Sequence, residues 1–129
     1  MDDRLVRRIT PLTVLETIDG EIAAWRQLGC EINGGGDDGN VVGISTGSTH
    51  WLVVSRANIA HAFGSFAAER LLGQTIAYVY VANIAHFLES WPDARVIQWG
   101  DTAHAGTREV LIAHRGRTMI VAEMIENGA

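Results

Sequence analysis

Short strand-like runs, several of them apolar on both faces, make up much of this chain, and three stretches break into helical spacing. Residues 8–14 alternate weakly and carry Pro11, which confines them to an edge strand or a strand start. Ile22, Ala23, Trp25 and Leu28 follow at near-helical spacing, with Thr17 or Asp19 as the cap and Gly29 at the end. Residues 30–33 read as a short strand, and residues 34–40 (GGGDDGN) as a loop. Val41–Ser45 is a strand, residues 46–49 a turn, and His50–Ser55 another strand. Residues 58–72 form a helix capped by Asn58, with Ile59, Phe63, Phe66 and Ala67 on one side.

The pattern then starts again. Thr75–Val81 is a strand rich in aromatic and branched residues. Asn83 caps a helix running to about Trp91 and stopped by Pro92. Residues 94–99 form a strand and residues 100–107 a loop. Two last strands, residues 109–114 and 118–124, meet at a tight turn of Arg115, Gly116 and Arg117. Each half therefore reads strand, helix, strand, strand, strand, with a linking helix between the halves. The expected fold class is α+β, one domain of two βαβββ modules: residues 5–56 and 74–126, with a linker over 57–73.

Composition narrows the function more than the fold. A 47% apolar chain of 129 residues has enough to bury one core. The net charge of −5 speaks against nucleic acid or an anionic membrane as partner, since both need a basic surface. Cys30 is the lone cysteine, which rules out an intrachain disulfide and points to a reducing, cytoplasmic compartment. MDDRLVRR lacks the features of a signal peptide, and no apolar run is long enough to span a bilayer. The GGGDDGN loop is followed by a strand, whereas a phosphate cradle would want a helix start and a Lys or Ser/Thr after its glycines.

Alternation also divides each strand into faces. In Thr75–Val81, Ala77, Val79 and Val81 are expected under the helices. Ile76, Tyr78 and Tyr80 are left for a cavity wall, apolar but with polar tips. In His50–Ser55 the same reasoning sets Trp51, Val53 and Ser55 apart from Leu52 and Val54, and joins Trp51 to the tyrosines on the face away from the helices. Curved sheets of this kind are expected to enclose a cleft.

Three segments resemble the vicinal oxygen chelate superfamily, which includes glyoxalase I, extradiol dioxygenases and bleomycin resistance proteins. TPLTVLETIDGEIAAWRQLGCEI is similar to its opening strand, helix and strand. TIAYVYVANIAHFLESW is similar to the start of its second module. AGTREVLIAHRGRTMIVAE is similar to its closing hairpin, most specifically at Gly106, Arg108 and Glu109. The resemblance covers about residues 8–126. Trp25 and the Tyr78–Val79–Tyr80 run lie nearest the bleomycin resistance branch. The usual Asp-Pro-Asp/Ala-Gly turn is Ala-His-Arg-Gly here.

Metal-dependent members take His, Gln or Glu ligands from four strands, and the resemblance places those positions at Ile9, Val53, Ile76 and Ile120. All four are aliphatic, and a one-residue slip to Thr10, Val54, Ala77 and Val121 is no better. No HxH, HxxxH or HExxH spacing occurs among the five histidines. No catalytic residue, metal or cofactor is therefore expected. Cys30 lacks an evident base, and GxSxG is absent. The resemblance implies a metal-free protein that holds a small aromatic or cationic compound, as antibiotic-sequestering relatives do. It further implies a homodimer. The ligand-binding candidates are Trp51, Val53, Ser55, Tyr78, Tyr80, Trp99, Arg108 and Ile120. Two alternatives stay open: a metal-dependent lyase or isomerase resembling glyoxalase I, and a structural dimer with a filled cleft.

Overall fold

The computed structural model describes residues 4–34, 41–101 and 107–124. Within them the elements run strand, helix, three strands, two helices, strand, helix, three strands, which is an α+β fold. The chain divides into two compact units, Thr10–Thr75 and the combination of Met1–Ile9 with Ile76–Ala129. No helix among the described residues is long and apolar enough to cross a membrane.

The unit Thr10–Thr75 holds β1 (Val6–Leu15, from Thr10 onward), α1 (Asp19–Gln27), β2 (Glu31–Gly34), β3 (Val41–Ser45) and β4 (His50–Ser55). Its strands lie in the order β2-β3-β4-β1. The first two junctions are antiparallel, and β1 runs parallel to β4, with Leu12 opposite Leu52 and Val14 opposite Val54. Pro11 sits inside β1, not at its start, yet the register with β4 begins at Leu12, so the missing N–H falls outside that ladder.

Neither Thr17 nor Asp19 caps α1. The capping residue is Ile18, which donates no side-chain bond and is itself a core residue. Asp19 and Glu21 set negative charge against the exposed N–H groups of the first turn instead. Ile18, Val42, Ile44 and Val53 form the core beneath this helix, and Ile22, Trp25, Ile32 and Trp51 pack against it. Leu12, Val14 and Val54 on the opposite strand face are buried as well.

The long helix expected over residues 58–72 is two helices, α2 (Arg56–Phe63) and α3 (Ser65–Leu71). Its cap is Ser55 and not Asn58: the Ser55 hydroxyl accepts from the Asn58 N–H at 3.1 Å. Gly64 separates the two at φ 97°, where a side chain would be strained. Phe66, expected on the packed side, stands 75% exposed, and α3 packs through Ala67, Ala68 and Leu71 instead.

The other unit repeats the plan. It holds β5 (Thr75–Val81, from Ile76), α4 (Ile84–Ser90), β6 (Arg95–Trp99), β7 (Thr107–His114) and β8 (Arg117–Met124). The order is β5-β8-β7-β6, the same 1-4-3-2 arrangement, and again the first strand runs parallel to the last. Asn83 caps α4 as expected, its Oδ1 accepting from the His86 N–H at 2.8 Å. Glu123 Oε1 takes the Ile84 N–H at 2.7 Å, so β8 ties down the same helix start. Val79, Val81, Ile84, Phe87, Val110, Ile112, Met119 and Val121 form the core under α4. Arg115 and Gly116, at φ 51° and 77°, make a two-residue hairpin turn; Arg117 already pairs with His114 inside β8.

Candidate binding face

The core under α4 uses the odd positions of β5 and β8 and the even positions of β7. The alternate positions therefore share the opposite face: Ile76, Tyr78 and Tyr80 on β5, Ile120 and Ala122 on β8, Glu109 and Leu111 on β7. The register assembles them into rows. Tyr78 lies opposite Ile120, which lies opposite Leu111; Tyr80 lies opposite Ala122, which lies opposite Glu109. Ile120, Leu111 and Ala122 are a buried floor, while Tyr80 and Glu109 keep partial exposure.

On that floor the two phenols meet edge to face, ring centroids 5.0 Å apart. The Tyr78 hydroxyl reaches diagonally across the small Ala122 and donates to Glu109 Oε2. Thr107 Oγ1 donates to the same oxygen at 3.4 Å. Burial pushes the Glu109 carboxyl above its ordinary value of 4.5, and these two hydrogen bonds oppose that rise. Burial and then the neighbouring carboxylate raise the Tyr78 phenol, which stays a donor. No basic side chain among the described residues pairs with Glu109. Beside this row is a pocket of about 630 Å³, lined by Arg7, Arg8, Tyr80, Val81, Ala82 and Met124. The Arg8 guanidinium lies 4.7 Å above the Tyr80 ring.

Tyr78, Tyr80 and Ile120 thus lie together on the face opposite the helix, as alternation requires. Arg108 does not. It is exposed and shares the α4-side parity of Val110, opposite Glu123, so Glu109 is the residue beside the tyrosines. Hairpin arithmetic carries that signal: once the turn is read as Arg115–Gly116, His114 faces Arg117 and Glu109 must face Ala122.

Trp99 is also displaced. A bulge between Val96 and Gln98 shifts the β6 register, so Trp99 falls opposite Val110 on the α4 side and is 48% exposed. In the other unit β4 has the two faces that alternation gives it, but the helix covers the face of Trp51 and Val53 rather than leaving it for a cavity. Trp51 and Val53 lie under α1, because Ile22 and Trp25 must be covered. Trp51 meets Trp25 at right angles, 5.5 Å away, and its Nε1 donates to Thr13 Oγ1 at 2.9 Å. Ser55 is buried and occupied in capping α2. These three are structural.

The positions implied for metal ligands fare no better as donors. Ile76 and Ile120 lie on the tyrosine face, Val53 lies under α1, and Ile9 is exposed. His114 is buried against Trp91 on the α4 side, with centroids 3.8 Å apart. No three His, Cys, Asp or Glu side chains converge among the described residues. The described residues at these positions do not fit a divalent ion. His104 and Gly106 lie outside the described residues.

No family model and no curated protein sequence matches the chain. Solved structures do. A glyoxalase/bleomycin resistance protein/dioxygenase superfamily member from Vibrio splendidus 12B01 matches at TM-score 0.56 and 12% identity, over 90% of this chain and 97% of that one. Methylmalonyl-CoA epimerase from Mycobacterium tuberculosis matches at TM-score 0.62 and 15% identity, over 98% of this chain and 93% of that one. At these identities the likeness establishes the fold: this chain has the vicinal oxygen chelate fold.

Proposed function

We propose that the chain is a small-molecule binding protein that works without a metal, and that its ligand is an aromatic compound with a cationic or hydrogen-bond-donating group. The observation that carries the reading is Glu109: a partly buried carboxyl, held by Tyr78 and Thr107, with no basic side chain among the described residues to pair with it. A ligand cation beside it would replace water with a charge-assisted bond. The tyrosine rings offer stacking and cation–π surface for the body of such a molecule. Sequestration of an antibiotic-like compound, by a homodimer in the cytoplasm, is the role we assign.

The test is calorimetry with aromatic amines and their neutral isosteres, on the parent, Glu109→Gln and Tyr78→Phe. The amines should bind the parent at least tenfold more tightly than the isosteres. Glu109→Gln should erase most of that preference. Equal affinity of amine and isostere for the parent would sink the proposal. The lyase or isomerase alternative requires activity on adding Ni²⁺, Zn²⁺ or Mn²⁺, and the aliphatic residues at the implied ligand positions weigh against it.

A further inference from the structure

The pocket beside Tyr80 has a chemistry opposite to that of Glu109. Among the described residues that line it, Arg7 and Arg8 are arginines, in a chain whose net charge is −5. Arg7 uses Nε to donate to the Arg4 carbonyl oxygen at 2.7 Å, which leaves its terminal amino groups open. Arg8 lies over the Tyr80 ring, which holds the guanidinium by its face and leaves its N–H edge free. No carboxylate among the described residues pairs with either arginine. Such a stacked guanidinium is presented ready to form two parallel bonds to a planar carboxylate. The rest of the lining includes Val81, Met124 and the tyrosine ring. An inorganic anion would leave that apolar wall unused.

We infer that this pocket binds a small aromatic carboxylate, its anionic group on the Arg8 guanidinium and its ring against Tyr80 and Met124. The inference stands on Arg8 and the pocket, and does not need the Glu109 reading, although Tyr80 borders both.

Benzoate is the probe, with benzamide as the neutral isostere and inorganic phosphate as an anion lacking a ring. Calorimetry on the full chain at low ionic strength should show benzoate binding at least tenfold more tightly than either. Arg8→Ala should weaken benzoate at least tenfold. Arg8→Lys, which keeps the charge and loses the fork and the stack, should weaken it severalfold. Glu109→Gln should leave benzoate affinity unchanged or raised, which separates the two readings. Benzoate and benzamide binding alike, or neither binding, would overturn the inference. Phosphate matching benzoate would overturn the aromatic class. Parent-like affinity in a folded Arg8→Ala would overturn the arginine assignment. Should Arg8→Ala fail to fold, Arg8→Lys and Tyr80→Leu decide the matter in its place.

Discussion

Glu109 concentrates the interest of the molecule in one side chain. A carboxyl whose folded pKa lies above its unfolded value holds its proton longer in the native state. The native state therefore binds more protons between the two values, and stability falls as pH rises through that interval. Glutamine mimics the protonated form and removes the penalty. Glu109→Gln should melt above the parent at pH 7, with the gap narrowing toward pH 4, as followed by circular dichroism. A gap independent of pH would mean that burial does not disfavour the charged form. Residue identity alone did not reveal this site. Arg108 and Glu109 are adjacent, and only the registers of β5, β8 and β7 decide which of them stands beside Tyr78.

At the level of elements, boundaries were legible wherever local chemistry set them. Asn83 caps α4, and β3, β4 and β5 keep the bounds that alternation gave. The reading failed where a cap or a break was decided by competition. Ser55 outbids Asn58 because it ends a strand in extended conformation with its hydroxyl aimed along the new helix. Ser55→Ala should cost ~1 kcal/mol in denaturant unfolding. The β7–β8 turn offers a gain. Its first position requires positive φ, and Arg115 is poorly suited to it. Arg115→Asn should stabilise by ~0.5 kcal/mol, whereas Gly116→Ala, forcing a side chain into φ 77°, should destabilise by ~1 kcal/mol or more. Denaturant midpoints at constant m-value check both.

For the whole molecule, the repeat was the strongest signal in the sequence, and the structure realises it as two units of one topology. What the sequence hid was which face each helix covers. Periodicity divides a strand into two sides without saying which is inward when both are apolar, as in β4. Trp51 illustrates this: its ring belongs with Trp25, a contact only the path of α1 determines. The cores under α1 and α4 share no residue. Val53→Ala and Val110→Ala, one in each, should both be destabilising by ~1–3 kcal/mol. In the double variant the two costs should add to within about 0.5 kcal/mol. A larger discrepancy in equilibrium unfolding would show that the cores are coupled.

The bulge in β6 has a consequence for how related chains should be compared. One extra residue between Val96 and Gln98 works like a frameshift on the strand: everything after it reads on the other side. A relative lacking that residue would need a gap at 96–98 to be aligned correctly. Aligned without one, its tryptophan at the Trp99 position would be assigned to the wrong surface. Deleting Ile97 here should remove the bulge and join Val96 to Gln98 in a regular ladder, so Trp99 should stay opposite Val110 and its fluorescence should stay that of the parent; a changed emission would show that the register had slipped instead.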